Sequence, residues 1–386
     1  MLEICLLGAT GSIGSQVLDL IREKREQYKL VAFSFNQSID KALEIIEEFE
    51  PKLVSCGDEK NVKKIKQAFP KVIVSYGNKG LQQVATFDCI CPMVINALVG
   101  SIGLLPTMSA IERGRNVYLA NKETLVIGGE IVMDRAKEMG VKIIPIDSEH
   151  SAIAQIIEKR NHDEIKKLYI TASGGAFRDL KREDLIDVTV DDALKHPNWK
   201  MGPKITIDCA TMMNKGFELI EAHYLFSMPM DKITAILHKE SVVHSMVEFE
   251  DGSIFAQMGS SDMHLPIKYA MEGPSHSASN IIKPLDILKV GALHFEELST
   301  ERYPMLQYAI DAINKGGIYP TLLNAANEAA VKLFLNRKIK FLDIESIVKK
   351  TLESEEFENF TKGPLTIAKI MSVDELVKIS ILSKYQ

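Results

Sequence analysis

A chain of 386 residues with 46% hydrophobic and 25% charged residues carries enough apolar material for two or three globular cores at roughly 100–200 residues each, and is neither disordered nor fibrous in composition. Its net charge of -6 argues against a nucleic-acid partner, because displacing counterions from phosphates takes a basic face. The cysteines Cys5, Cys56, Cys89, Cys91 and Cys209 lack zinc or disulfide spacing, Glu3 stands where a signal peptide would be basic, and no apolar run reaches the roughly 20 residues that cross a bilayer; a cytoplasmic protein away from membranes is expected.

The chain opens with a strand signal over 2–7, followed by Gly8-Ala9-Thr10-Gly11-Ser12-Ile13-Gly14 and the helical spacing of Val17, Leu18, Leu20 and Ile21. Strand, glycine turn and helix N-terminus make a phosphate cradle, since free backbone N–H groups and the positive helix end face the anion. This context predicts a dinucleotide site at Thr10, Gly11, Ser12 and Ile13; a ligand-free tight turn is the plain alternative. The second strand, 30–35, ends at Asn36, Gln37 and Ser38. An acid there would bind a ribose diol and repel a 2′-phosphate; none stands before Asp40, which favours NADP(H) over NAD(H), although the nearest cation is Lys41.

Helices over 40–49 and 60–69 alternate with strands over 53–55, 72–74, 94–99, 117–120 and 142–146, the grammar of a parallel sheet covered on both faces. Asn121, Lys122 and Glu123 follow one strand and Asp147-Ser148-Glu149-His150 the next, so all fall at the carboxyl edge where such sheets bind ligands. Strand side chains alternate, so Asp147 and Glu149 share a face. Two carboxylates that close require a cation, a shared proton or solvent.

In the middle of the chain, a helix over 152–159 and a strand over 168–172 lead to Ser173-Gly174-Gly175, a second candidate anion turn. The single tryptophan lies in Lys195-His196-Pro197-Asn198-Trp199-Lys200-Met201-Gly202, an aperiodic stretch suited to a lid over 173–203 or a core anchor. A strand is expected over 205–208, then a helix whose face carries Asn214 and Glu218, four apart, beside Lys215. His238 and His244 lie on strand-like sequence that turns at Asp251-Gly252, where histidines are commonly satisfied core residues. Residues 266–285 read as a linker, and the periodicity from 305 onward predicts a separate helical bundle. The expected fold is α/β: a Rossmann-like NADPH-binding domain over 1–147, a central α+β catalytic domain over 148–272, a linker over 273–298 and a C-terminal helical domain over 299–386.

Asp147, Glu149 and Glu218 can face one cleft with the dinucleotide. A carboxylate trio without thiolate or paired histidine suits Mg²⁺ or Mn²⁺, and a divalent cation beside a nicotinamide suits carbonyl reduction. The same stretches, with Leu119-Ala120-Asn121-Lys122-Glu123, His196-Pro197-Asn198-Trp199, Ala210-Thr211-Met212-Met213-Asn214-Lys215-Gly216 and Leu323-Asn324-Ala325-Ala326-Asn327-Glu328, resemble in order the motifs of the 1-deoxy-D-xylulose 5-phosphate reductoisomerase family over nearly the whole chain.

That resemblance implies NADPH-dependent rearrangement and reduction of 1-deoxy-D-xylulose 5-phosphate to 2-C-methyl-D-erythritol 4-phosphate, in the non-mevalonate isoprenoid route, by a homodimer. It implies Asp147, Glu149 and Glu218 as metal ligands, and Lys122, Ser148, Glu149, Ser173, His196, Asn214, Lys215 and Glu218 around substrate. Lys122 and His196 join the metal ligands as catalytic residues. NADPH would meet Thr10, Gly11, Ser12, Ile13, Asn121, Glu123 and Gly202, with Asn36, Gln37 and Ser38 at the adenosine phosphate, while Ser241, His244 and Met263 match further lining residues. Two stretches depart from the usual pattern: Cys209 stands where a phosphate-binding serine is common, and Asn36-Gln37-Ser38 replace Gly-Lys-Asn. A semialdehyde dehydrogenase would share the glycine loop but needs a cysteine nucleophile with a base, and an NADP(H)-binding redox sensor would need neither the acids nor the lid.

Overall fold

Residues 1–90 and 92–385 are described by the computed structural model, and Cys91 lies outside them. They divide into two compact units: Met1–Thr124, Val132–Ser151 and Asp262–Lys283 form one, and Leu125–Ile131, Ala152–Ser261 and Pro284–Gln386 the other.

The first unit alternates β1 (Leu2–Leu7), α1 (Ser12–Glu23), β2 (Tyr28–Phe35), α2 (Ile39–Phe49), β3 (Leu53–Cys56), α3 (Lys60–Ala68), β4 (Ile73–Tyr76), α4 (Gly77–Ala85), β5 (Pro92–Asn96), α5 (Leu104–Glu112), β6 (Val117–Leu119), α6 (Glu123–Met139) and β7 (Ile143–Pro145). All seven strands are parallel, in the order β4-β3-β2-β1-β5-β6-β7. Parallel sheets are covered on both faces, so their strands read as unbroken apolar runs; Ile4, Cys5, Leu6 and Leu7 of β1 are accordingly sealed from solvent. The winding direction reverses between β1 and β5, which makes that crevice the ligand position of an open α/β sheet. Leu7 pairs with Asn96, Asn96 with Leu119 and Leu119 with Pro145. Four strands thus end in register, and the loops after them open along one edge.

α7 (Ser148–Ile157) runs from the first unit into the second. The second unit holds β8 (Ile165–Ala172), α8 (Val190–Ala193), α9 (Pro203–Thr211), α10 (Met213–Leu225), β9 (Ile233–Leu237), β10 (Val243–Phe249) and β11 (Ile254–Met258). After α11 (His264–Glu272) it resumes with α12 (Ile287–Val290), β12 (Glu296–Glu297), α13 (Pro304–Lys315), α14 (Tyr319–Leu335), α15 (Phe341–Leu352) and α16 (Ile367–Ser383). Its sheet runs β11-β10-β8-β9-β12, with β8 and β9 parallel and the other pairs antiparallel. The hairpin expected at Asp251-Gly252 joins β10 to β11, with Gly252 in the left-handed region.

Three expectations from sequence are corrected. Residues 205–208 are helical within α9, not a strand. Pro203 at the first turn starts that helix, and burial of Thr206, Ile207 and Asp208 overrides their low helix propensity. The linker-like 266–285 includes α11, which returns to the first unit and places Ile267, Ala270 and Met271 in its core, with Glu272 paired to Lys268 at 2.9 Å and to Lys24. The final helices are no separate bundle: Tyr303 and Leu306 belong to the core of β8, β9 and α10, and Asn327 of α14 donates to Asp208 of α9 at 2.8 Å. Among the described residues, no helix is long and apolar enough to cross a membrane.

Candidate active site

In the first unit the glycine loop is built around missing side chains. Gly8 has φ +87°, and a Cβ there would lie 2.6 Å from the Ala97 carbonyl oxygen; one on Gly14 would lie 2.2 Å from that of Gly8. The amides of Gly8 and Ala9 donate to the Ser34 carbonyl, and Gly8 also reaches Ser34 Oγ at 3.0 Å. Gly11 then serves as the N-cap of α1 and offers no side chain to its first-turn amides. Gly11 and Ser12 are exposed; the Gly11 amide is spent on the Gly8 carbonyl at 3.1 Å, and the first-turn amides from Ser12 onward suit a dinucleotide pyrophosphate. After β2, Asn36, Gln37 and Ser38 are exposed and carry no cation; a Cβ on Gly57 would meet Asn36 Oδ1 at 2.1 Å, so that amide packs back on the fold.

Further along the same edge, Lys122 and Glu123 are buried, and the Lys122 Nζ lies 2.8 Å from Asp147 Oδ2. The Asn121 amide, expected at the cofactor, is spent on protein: its Nδ2 donates to the carbonyls of Leu98 at 3.1 Å and Gly100 at 3.0 Å and to Glu123 at 2.8 Å. Asp147 and Glu149 do not share a strand face as expected, because β7 ends at Pro145 and Glu149 lies in the first turn of α7. Instead Asp147 acts as the cap: its Oδ1 accepts from the Glu149 amide at 3.2 Å and its carbonyl from Ser151 at 2.8 Å. Burial pushes the Asp147 carboxyl up, but Lys122 and His150 outweigh it and hold the group well below the usual carboxylate range. The sealed His150 ring places Nδ1 3.3 Å from Asp147 Oδ1. His150 therefore orients the acid, a role its position in the sequence did not reveal. Ser148 Oγ donates to Glu149 at 2.5 Å.

In the second unit Ser173 follows β8 directly and meets His196 Nε2 at 3.1 Å. His196 Nδ1 accepts the amides of Asn198 at 3.2 Å and Trp199 at 3.0 Å, so the proton of the neutral ring belongs on Nε2, aimed at Ser173. Burial, then the Arg178 charge, lowers this histidine to about 4. Arg178, missed from sequence, staples the segment by donating to Ser173 O at 3.1 Å, Asn198 Oδ1 at 2.8 Å and Lys239 O at 2.9 Å. Its only available signal was an arginine three residues beyond the Gly174-Gly175 turn.

The Ser173 turn sits against α9: a Cβ on Gly175 would lie 2.5 Å from the Cys209 carbonyl oxygen. Gly202 caps α9 and faces open space. Met212, left-handed at φ 64°, turns the chain from α9 into α10. The first two turns of α10 then bury Asn214, Lys215 and Glu218; Glu218 accepts from Asn214 Nδ2 at 2.5 Å and pairs with Lys215. Trp199 Nε1 donates to Ser241 Oγ, and His244 is lowered to about 4, chiefly by burial. His238 is the satisfied core residue expected, with Nδ1 2.9 Å from the His294 carbonyl and Nε2 accepting from Val243 at 3.2 Å. Met263 packs against the first unit's core. Asp147 and Glu149 in the first unit, and Glu218 in the second, each offer only oxygen donors, the kind a hard divalent cation takes.

Three family models cover most of the chain. That of 1-deoxy-D-xylulose 5-phosphate reductoisomerase matches residues 4–129, that of its C-terminal domain 143–226, and that of the DXP reductoisomerase C-terminal domain 258–379. The 1-deoxy-D-xylulose 5-phosphate reductoisomerase of Bacillus subtilis is 50% identical over 377 residues, 97% of each chain. The chain belongs to the 1-deoxy-D-xylulose 5-phosphate reductoisomerase family. A reductoisomerase numbered 2 from Bacillus thuringiensis is also 50% identical, over 91% of this chain and 92% of its own. The fold is that of solved reductoisomerases. One in complex with NADPH, fosmidomycin and magnesium superposes with a TM-score of 0.95 at 37% identity over 100% of this chain and 98% of that one. The Zymomonas mobilis enzyme in complex with NADPH gives 0.89 at 37%, over 100% and 99%. Among the described residues, Cys89 meets the Cys5 thiol at 3.9 Å and not a base, which leaves the cysteine-nucleophile reading without support at that position.

Proposed function

We propose that this enzyme converts 1-deoxy-D-xylulose 5-phosphate to 2-C-methyl-D-erythritol 4-phosphate with NADPH and Mg²⁺ or Mn²⁺, within non-mevalonate isoprenoid synthesis. The observation that carries this reading is the registered row of strand ends, which sets the glycine loop, Lys122 and Asp147 on one edge in a chain whose relatives are reductoisomerases.

Thr10, Gly11, Ser12 and Ile13 bind the NADPH pyrophosphate through the α1 N-terminus, with Gly202 and Glu123 toward the nicotinamide half and Asn36, Gln37 and Ser38 toward the adenosine phosphate. Asp147, Glu149 and Glu218 hold the divalent cation, and Asp147 is kept anionic for that task by Lys122 and His150. The bound cation supplies Lewis acidity for the carbonyl and hydroxyl oxygens of the substrate, and NADPH supplies hydride. Lys122 and Ser148 orient the reacting end of the substrate. Ser173, Asn214 and Lys215 grip its phosphate, with Cys209 a weaker donor on the same wall. Neutral His196, its proton on Nε2, donates to Ser173 or to substrate without adding charge, and Trp199 closes the segment over 173–203 against water. The enzyme works as a homodimer in the cytoplasm.

NADPH oxidation with 1-deoxy-D-xylulose 5-phosphate, measured with Mg²⁺, with Mn²⁺ and after chelation, tests the assignment. Turnover is expected with either metal and not without. No substrate-dependent oxidation in the presence of both metals would overturn it.

A further inference from the structure

Two buried amides hold the loop between β5 and α5 in a shape that the glycine loop depends on. Asn96, at the end of β5 and wholly buried, donates from Nδ2 to Thr107 Oγ1 at 2.9 Å and to the Gly103 carbonyl at 3.1 Å, while its Oδ1 accepts the Leu98 amide at 3.2 Å. Asn121 grips the other side of the same loop through the Leu98 and Gly100 carbonyls. Gly103 is wedged between them: a Cβ there would lie 1.9 Å from Asn121 Oδ1 and 3.0 Å from Asn96 Nδ2. The braced backbone is itself the wall behind the dinucleotide loop, because a Cβ on Gly8 would strike Ala97 O at 2.6 Å. Gly8 follows β1 and Ala97 follows β5, so this contact lies at the point where the sheet reverses its winding. The brace also keeps two large apolar side chains in solvent on this edge, Val99 at 67% and Ile102 at 42% exposure; a flat ring covering them would remove that surface from water.

We propose that Asn96 is a positioning residue for NADPH: with Thr107 and Asn121 it sets the loop over 97–103, and through Ala97 the Gly8 turn, in the conformation that receives the cofactor. The inference rests on the NADPH assignment above. Buried polar networks act as units, and removing one partner leaves another unpaired in a low-dielectric interior, so a single lost bond is felt along the whole loop. The Asn121 side chain, with its N–H groups committed to this brace, acts on the cofactor in the same indirect way.

Calorimetric titration of NADPH into the full enzyme without substrate separates the possibilities. N96D keeps the shape but replaces the donor with a carboxylate facing the Gly103 carbonyl, and is expected to weaken NADPH at least tenfold. T107V replaces the hydroxyl that accepts from Asn96 with a methyl of similar shape and is expected to weaken it threefold or more, while T107S restores it to within twofold of the parent. At saturating NADPH the KM for 1-deoxy-D-xylulose 5-phosphate stays within twofold in each variant. Should N96D fail to fold, the Thr107 pair decides. NADPH affinity within twofold of the parent in T107V, or a loss in T107V spread equally over substrate KM and kcat, would overturn the role of the brace; a parent enzyme that fails to bind NADPH would overturn the cofactor assignment as well.

Discussion

The indole N–H of Trp199 donates to Ser241 Oγ at 3.0 Å, tying the segment after β8 to the turn between β9 and β10. Asn198 reinforces the tie by donating to the Lys239 carbonyl at 3.3 Å. Because this is the only tryptophan of the chain, its fluorescence reports that segment alone. Ser241→Ala is expected to shift the emission and to raise the KM for substrate about 3- to 10-fold, the equivalent of the roughly 1 kcal/mol net worth of a hydrogen bond. An unchanged spectrum and KM would show that the tie does not govern closure.

Glu218→Gln keeps the hydrogen-bonding shape of α10 but removes one negative charge from the three carboxylates proposed to hold the cation. Metal-dependent turnover is expected to fall by on the order of 100-fold or more, since a cation at a developing oxyanion is worth several kcal/mol. NADPH affinity, measured by titration, should survive. Full activity in this variant would remove Glu218 from the site.

His196 is expected to stay neutral down to about pH 4. Its folded value lies below the ordinary 6.5, so the unfolded chain binds the proton first. The stability contributed by the neutral ring is full above about pH 6.5 and is lost as pH falls toward 4. Ring ¹⁵N shifts measured against pH check this directly, and a midpoint above 6 would contradict the neutral state assigned to the ring. His196→Gln should flatten the acid limb of the stability profile.

Gly14→Ala introduces a Cβ 2.2 Å from the Gly8 carbonyl oxygen, against backbone that cannot step aside as a side chain would. The expected cost is about 1–3 kcal/mol of stability, together with weakened NADPH binding, read by thermal unfolding and titration. A variant with the parent's melting temperature and affinity would mean that the turn has room the structure does not show.

Asn36, Gln37 and Ser38 carry no cation for a 2′-phosphate. Gln37→Lys is expected to raise kcat/KM for NADPH roughly 10- to 100-fold, since hydrogen bonds to charged groups are worth about 1.5–3 kcal/mol, and to leave NADH nearly unchanged. Equal gains with both cofactors would place the adenosine phosphate elsewhere.

The first unit was legible in the sequence because its signals are local. Apolar runs mark strands buried on both faces, glycines mark the cradle after β1, and Lys122 and Asp147 follow strands whose ends share an edge. The family, too, could be recognised from ordered motifs. Elsewhere local patterns misled. Ile205-Thr206-Ile207-Asp208 alternates like a strand, yet burial against α10 and α14 makes it a helix, and the residues of α11 look like a linker until their apolar face is seen filling the core of β1 and β2. Only the tertiary structure decided that Asp147 caps a helix instead of sharing a strand face with Glu149, that Lys122 and His150 keep it ionised, and that Asn121 braces a loop with Asn96. Each of those facts depends on groups distant in sequence meeting in a low-dielectric interior, where the partner present determines both charge state and hydrogen bonding.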